Sequence, residues 1–242
     1  AFEGFKSGVY AFRSENSSLQ WATGYDFPAR EQGWVKVEEL PDGAIGTGQG
    51  FVFNLNQEKF QDPRVREAIT LMVNFEWMNE SLFYGLYERP ESFWDNSELK
   101  AVGAPSADEI AILQPLVDEG LLDAAILTDE ATIPPASTTT ERPLDRRQLR
   151  AASALLDEAG WIAGEDGMRR KDGVLLEVTF LERSPQFDRI INPYVENLRA
   201  IGIDASMNRV DGAQMSQRQR DADFDMITDH FPMGYEPGTS LR

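Results

Sequence analysis

The sequence lacks cysteine altogether and holds a single histidine, and both facts restrict its chemistry. Without thiols there can be no disulfide bond, no thiolate nucleophile and no cysteine-ligated zinc or iron–sulfur cluster. A Ser-His-Asp triad would have to use His230, whose neighbour Asp229 is too close in sequence to orient the ring in the usual way. We therefore expect neither a catalytic cysteine nor a catalytic histidine in this chain.

Basic residues are also scarce, because 23 Lys and Arg stand against 41 Asp and Glu and give a formal net charge of -18. This balance excludes a nucleic-acid-binding protein, which needs a basic surface to displace counterions from phosphates. No run approaches the roughly 18–20 apolar residues of a membrane span. With 41% hydrophobic residues, the chain should nevertheless form a packed core.

Motifs for nucleotides and metal ions are missing as well. There is no phosphate loop and no Gly-x-Ser-x-Gly elbow. The glycines at 46–50 precede a strand instead of joining a strand to a helix, which favours a hinge or a loop. The alternating Asp221, Asp223 and Asp225 lack the glycine and the closing glutamate of a calcium loop. We expect neither a cofactor nor a metal ion.

Helices are predicted where a capping residue precedes an apolar repeat with a period of 3.6. Asp62 followed by Pro63 begins a helix that runs to about Gly85. Ser106 with Glu109 matches a capping box that begins another. Further helices are predicted from Asp145 to Gly160, from Ser184 to Gly202 and from Asp211 onward.

Strands are predicted where apolar residues alternate with polar ones or form short runs. These stretches are 9–12, 34–38, 49–56, 174–181, 203–210 and 224–228, and the turn dipeptides Asp166-Gly167 and Asp172-Gly173 indicate a short hairpin. In the last hundred residues strands and helices alternate, which implies right-handed crossovers. The fold class is therefore α/β, with a mixed, largely parallel sheet flanked by helices.

Aromatic residues beside polar ones are candidates for ligand binding, since small-molecule sites are mostly apolar with a few placed polar groups. Trp21 and Tyr25 lie in such a stretch, as do Phe231 and Glu236. For each aromatic residue taken alone, packing in the core is about as good an explanation. His230 follows the last predicted strand, and ligands of open α/β sheets bind outside the carboxyl ends of strands.

The many carboxylates leave a second function open. An acidic glycoside hydrolase, or another carbohydrate-active α/β enzyme, would use two acids that flank the scissile bond. With 41 acids in the chain, such pairs also arise by chance. Most of the acids should be helix caps and solvated helix faces.

Four motifs in a fixed order resemble the extracytoplasmic solute-binding proteins of peptide ABC transporters, bacterial solute-binding family 5. They lie at 53–69, where FNLN is followed by FQDPRVREAI, at 155–161 (LLDEAGW), at 198–203 (LRAIGI) and at 224–226 (FDM). The stretches 16–28, 75–85 and 96–99 look most like the YejA-like branch of that family. The resemblance covers essentially the whole chain but only part of the family's usual length.

The resemblance implies one lobe, on the C-terminal side, of a two-lobed type II periplasmic-binding-protein fold. Residues 1–48 would then belong to the first lobe and the crossover region, 49–230 to the ligand-binding lobe and 231–242 to the start of the return crossover. The implied function is binding of peptides in the periplasm and their delivery to the permease subunits of an ABC transporter. The protein would be a monomer that does no chemistry on its ligand and reaches the membrane only through the transporter.

Matching motif to motif implies cleft-facing positions at Phe51, Asn54, Gln214, Thr228, His230 and Phe231. Gly234 occupies the place where oligopeptide binders of the family carry an Asp that clamps the peptide's amino terminus. Either Asp229 or Glu236 substitutes for that Asp, or the ligand is not held by a free α-amine. The second option would suit a modified or murein-derived peptide.

Overall fold

The computed structural model describes residues 2–41, 43–46 and 48–236. These residues form two compact units. The first unit consists of residues 2–41, 51–89 and 136–228, and the second of residues 43–46, 48–50, 90–135 and 229–236. Most of the buried residues belong to the first unit. Among the described residues, no helix combines the length and the apolar character that crossing a membrane requires.

The first forty residues contain three short helices, α1 (Phe2–Lys6), α2 (Ser18–Thr23) and α3 (Pro28–Glu31). The strands predicted at 9–12 and 34–38 are wrong, because both stretches are irregular. Val9 and Trp34 are 76% and 78% exposed. Alternation of apolar and polar residues forms a strand only beside a pairing neighbour, and the two sheets of the described chain are built from other segments.

Strand β1 (Gly48–Phe53) is followed by a 3-10 turn (Glu58–Phe60), helix α4 (Pro63–Leu71) and helix α5 (Phe75–Leu82). The predicted cap is confirmed, since the Asp62 carboxylate accepts the N–H of Arg64 at 2.9 Å. The single helix predicted after Asp62 is wrong in one respect. Asn74 caps a second helix by accepting the N–H of Trp77 at 2.9 Å, so the chain restarts there.

The second unit contains helix α6 (Ala107–Asp118) and a 3-10 turn (Ala124–Leu127). The predicted capping box is confirmed: the Ser106 hydroxyl accepts the Glu109 N–H, and the Glu109 carboxylate accepts the Ser106 N–H. No residue of α6 is buried.

Helix α7 (Arg146–Glu158) begins at the predicted cap, Asp145, which accepts the N–H groups of Arg147 and Gln148. The predicted hairpin is a small antiparallel sheet of three strands, β2 (Ile162–Ala163), β3 (Arg169–Lys171) and β4 (Val174–Leu175). Its register pairs Ile162 with Arg170 and Lys171 with Val174.

The main sheet is completed by strands and helices that alternate as predicted. They are β5 (Glu177–Glu182), α8 (Asp188–Ala200, after a 3-10 turn at Pro185–Phe187), β6 (Asp204–Arg209), α9 (Gly212–Arg220) and β7 (Met226–Phe231). The strand order is β1-β7-β5-β6, and β5 runs parallel to both β6 and β7. The α/β class and the largely parallel sheet are confirmed.

Helices cover both faces of this sheet because successive strand residues point to opposite sides. On one face Phe180 and Met226 pack against α8 in the principal core, together with α4 and α7. On the other face Leu181 and Ile227 pack against Met215 of α9. The largest fully buried side chains are Tyr194, Phe60, Phe180, Ile69, Met72, Leu156, Leu176, Leu181, Ile191, Leu198, Ile203 and Met226.

Candidate functional site

Trp21 and Tyr25, two of the predicted ligand-binding residues, lie together in the first unit. The Ser17 side chain caps α2, which carries Trp21, and the ring centroids of Trp21 and Tyr25 are 5.9 Å apart. Tyr25 also meets Phe2 edge to face, with centroids 5.2 Å apart. Tyr25 is 5% exposed, while Trp21 is half-buried.

An ion pair beside these rings fixes the Tyr25 hydroxyl. The carboxylate of Glu15 accepts hydrogen bonds from Arg13, from the Ser17 N–H and from the Tyr25 hydroxyl, the last at 3.1 Å. Burial would raise the pKa of Glu15, but the bonds from Ser17, Arg13 and Tyr25 outweigh it and hold that pKa below its usual range. The carboxylate is therefore charged at neutral pH and orients Tyr25.

These side chains line a pocket of about 190 Å³. Small-molecule sites usually enclose roughly 300–1,000 Å³, so this pocket has room for one side chain rather than a whole peptide. Its wall combines aromatic rings with both signs of charge, which suits a polar group attached to an apolar stem. The lining residues are Phe5, Ala11, Phe12, Arg13, Glu15, Trp21, Tyr25, Lys36, Val37, Glu38 and Leu40.

Phe51 and Asn54, at the end of β1, have structural contacts. The Phe51 ring lies 5.4 Å from that of Phe180 and 5.3 Å from that of Tyr194, in the principal core. The Asn54 amide donates to the carbonyls of Ala222 and Phe224 at 2.7 and 2.8 Å and is 4% exposed. These bonds hold the turn that precedes β7. Ligand contact by either residue stays a prediction.

Gln214 and Thr228 are placed differently from each other. Gln214 lies in the first turn of α9, where its N–H is capped by Asp211 and its side chain is exposed. The Thr228 hydroxyl in β7 is buried and finds no hydrogen-bond partner within the described part of the chain. A buried hydroxyl without a partner is costly, which makes Thr228 the more informative of the two.

Glu182, at the carboxyl end of β5, is a residue that the sequence analysis missed. It is 3% exposed and accepts the N–H groups of Arg183 and Ser184, both at 2.7 Å. In the parallel register it stands opposite Arg209 of β6. The signal in the sequence was an acid directly after a buried apolar strand, at the sheet end where ligands of α/β proteins bind.

Four predicted residues belong to the second unit. The Asp229 carboxylate accepts the His230 N–H at 2.8 Å and lies 3.7 Å from the imidazole Nδ1. The His230 side chain is exposed, and Phe231 meets Phe93 edge to face with centroids 5.7 Å apart. Glu236 is exposed. The carbonyl of Gly234, the position without the clamping carboxylate, accepts the indole N–H of Trp94 at 3.2 Å.

The motifs that carry the family resemblance prove to be structural. Arg64 binds both carboxylate oxygens of Asp62, at 3.0 and 2.7 Å, and donates to the carbonyl of Glu158 at 2.8 Å. These side-chain bonds lower the pKa of Asp62 to about 2. They tie the start of α4 to the end of α7.

The FDM motif likewise joins segments of the main sheet that are distant along the chain. The Asp225 carboxylate accepts the Thr179 N–H at 2.9 Å and pairs with Lys59 at 2.8 Å. It thereby fixes β5 beside the start of β7. Within the described residues, no three His, Asp or Glu side chains are placed to hold a metal ion.

The chain is similar in sequence to known solute-binding proteins. The model of the bacterial extracellular solute-binding proteins, family 5 (middle part), matches residues 1–241. The probable peptide-binding protein YejA of Agrobacterium fabrum is 40% identical over 240 residues, which are 98% of this chain and 38% of that protein. The peptidoglycan-binding protein YepA of the same bacterium is 31% identical over 246 residues, 98% of this chain and 39% of that protein.

A solved structure with the same fold is that of the oligopeptide-binding protein AppA of Bacillus subtilis in complex with a nonapeptide. It matches 98% of this chain and 39% of its own with a TM-score of 0.63 and 18% identity. The chain spans about two fifths of the length of the curated relatives it matches. By the match of residues 1–241 to the family and its 40% identity to a YejA protein, the chain belongs to the YejA branch of the family 5 extracellular solute-binding proteins.

Proposed function

We propose that this chain is the ligand-binding lobe of a periplasmic peptide-binding protein that delivers its ligand to an ABC permease. The observation that carries the proposal is the match of residues 1–241 to family 5, combined with 40% identity to a probable peptide-binding protein. In a two-lobed protein, ligand contacts from both lobes stabilise the closed state, which the permease recognises. The lobe alone is expected to bind weakly.

The proposed ligand is a murein-derived or otherwise modified peptide. Support comes from Gly234, which offers no carboxylate where the family resemblance places the clamp for a free α-amine. A relative that is 31% identical bears the name peptidoglycan-binding protein, which points to the same ligand class. The pocket beside Trp21 and Tyr25 is sized for one side chain of such a peptide.

Calorimetry with two proteins tests this function. One is the 242-residue chain, and the other is the same chain extended to the length of its YejA relatives. We expect tight binding of a murein tripeptide or tetrapeptide by the extended protein and weak or no binding by the chain alone. A linear tripeptide of ordinary L-amino acids is the control ligand, and it should bind less tightly than the murein peptide.

Two results would contradict the proposal. One is an extended protein that binds no peptide, murein-derived or ordinary. The other is chemical change of the ligand: mass spectrometry after incubation should recover the murein peptide intact, whereas cleaved glycan or peptide would favour the carbohydrate-active enzyme.

A further inference from the structure

The second unit carries a surface of one charge sign. Residues 101–135 include seven Asp and Glu and neither Lys nor Arg. All seven acidic residues are exposed. Elsewhere in the described chain acids commonly find cations, as Asp225 does with Lys59 at 2.8 Å. Because this stretch contains no cation, its own side chains do not neutralise its charge.

The same stretch exposes large apolar side chains. Helix α6 has no buried residue, although Ile, Leu and Val make up much of its sequence. Ile112 is 71% exposed, and Leu121, just after the helix, is 66% exposed. Exposed apolar groups that occur together mark interaction sites more often than isolated ones do. The other exposed apolar residues are Val102, Leu116, Ile126 and Ile133.

We propose that this α6 surface, formed by residues 102–133, docks a protein segment in which Lys or Arg side chains border aliphatic or aromatic ones. Charge complementarity selects this occupant. A second copy of the chain would bring the same acids against each other, on a molecule whose net charge is already -18. A bacterial membrane rich in anionic lipid would repel the surface for the same reason. The proposal does not depend on the identity of the peptide ligand.

A synthetic 18-residue amphipathic helix of leucine and lysine serves as the probe. Fluorescence anisotropy of the labelled peptide measures its binding to the full 242-residue chain, and a leucine–glutamate helix of the same length is the control peptide. We expect the leucine–lysine peptide to bind and the leucine–glutamate peptide not to bind. The affinity of the leucine–lysine peptide should fall as salt is added. Hydrogen exchange should show protection of amides within α6 on binding.

Matched variants locate the binding surface. Replacing Ile112 and Leu121 by Ser should weaken binding at least about tenfold, because two apolar contacts are lost. The control for this pair is Ile162→Ser with Val174→Ser, which are 55% and 63% exposed in the first unit. Neutralising three acids should weaken binding by about fivefold and flatten its salt dependence. The acid variant is Asp108→Asn, Glu119→Gln and Glu130→Gln, and its control is Glu67→Gln, Glu165→Gln and Asp204→Asn.

Three outcomes would overturn the proposal. The first is equal weakening by the surface variants and their controls. The second is that the surface binds something else: either the chain dimerises in light scattering, or it floats with phosphatidylglycerol vesicles. In either case the Ile112 and Leu121 double variant would abolish the effect. The third is an extended protein whose α6 amides are already protected without peptide, since other parts of that protein would then cover the surface. Circular dichroism confirms that each variant is folded.

Discussion

Gly202 occupies a position where a side chain does not fit. Its φ is +86°, and a Cβ built there would lie 2.2 Å from the carbonyl oxygen of Gly167. The close approach packs the hairpin turn against the end of α8, and the Arg169 N–H donates to the Gly202 carbonyl at 2.8 Å. The glycine of the LRAIGI motif is therefore required by backbone geometry.

Replacing Gly202 by Ala should lower the free energy of unfolding by more than about 2 kcal/mol. The backbone at Gly167 would have to move, and the new Cβ would sit on a residue with left-handed backbone conformation. Gly212→Ala is the matched control, since nothing lies within 4 Å of the Cβ position there. Urea unfolding of both variants measures the effect. Equal free energies of unfolding for the two variants would show that the turn at Gly167 can move away from the new Cβ without loss of stability.

The stabilisation that Asp62 gives to the start of α4 depends on pH. Because Arg64 lowers its folded-state pKa to about 2, the stabilisation is present above the unfolded pKa and is lost as pH falls through the folded pKa. Asp62→Ala should cost about 1 kcal/mol at neutral pH and progressively less between about pH 4 and 2. Glu67→Ala, on the exposed side of the same helix, is the control. Unfolding curves at several pH values would contradict this if the cost stayed constant.

The contribution of Trp21 to peptide binding can be tested by comparison with Trp34. Trp21 lines the pocket, whereas Trp34 is 78% exposed and does not line it. In the extended protein, Trp21→Ala should weaken peptide binding by at least about tenfold, since a stacked aromatic contact is removed, while Trp34→Ala should change it little. Calorimetry distinguishes the two. Similar affinities for both variants would remove the pocket from the ligand site.

Helix α7 runs against the usual charge preference of helices. Its first turn has no acidic residue and begins with Arg146 and Arg147, although the N-terminal end of a helix favours negative charge. Arg146→Glu should therefore raise the free energy of unfolding by about 0.5 kcal/mol at low ionic strength. The control is Arg150→Glu, beyond the first turn, where the gain should be smaller. Thermal unfolding at low and high salt checks this, and an unchanged midpoint at low salt would contradict it.

Helices were predicted from the sequence better than strands, for a physical reason. A cap such as Asp145 or Ser106 acts within four residues, so its signal is local and the start of the helix is confirmed. A strand depends on a partner that is distant in sequence. The alternating stretch at 34–38 has no strand partner among the described residues and is irregular, while β7 forms between β1 and β5, and β5 pairs with Met226 and Ile227.

The candidate site was predicted less completely. Trp21 and Tyr25 were predicted because aromatic residues in a polar stretch are visible in the sequence. The structure places both at one pocket, and their contact with a ligand stays a prediction. Asn54 belongs to a family motif, but its amide is bound to two carbonyls of the chain. Glu182 follows a buried apolar strand, which the sequence does show, but it was missed because its burial depends on contacts that are distant along the chain.

At the scale of the whole molecule, the family motifs connect distant segments of the chain. Arg64, which is held by Asp62, reaches the end of α7 at Glu158, and Asp225 reaches Lys59 and the backbone of β5. These links explain why the motifs identify the family without identifying the ligand. The same fold can therefore serve different ligands.

The net charge sets the response of the whole molecule to salt. Added salt weakens attractive pairs such as Lys59–Asp225, at 2.8 Å, but it also screens the mutual repulsion of the 18 surplus negative charges. The pairs are short and partly shielded from solvent, whereas the surplus charges are mostly exposed, so repulsion should be screened more. Raising NaCl from about 10 to 300 mM should therefore increase the unfolding temperature by about 2–4 °C, the equivalent of about 1 kcal/mol. Scanning calorimetry measures this, with an uncharged osmolyte at equal osmolality as the control for effects other than screening. A fall in the unfolding temperature would mean that the ion pairs outweigh the repulsion.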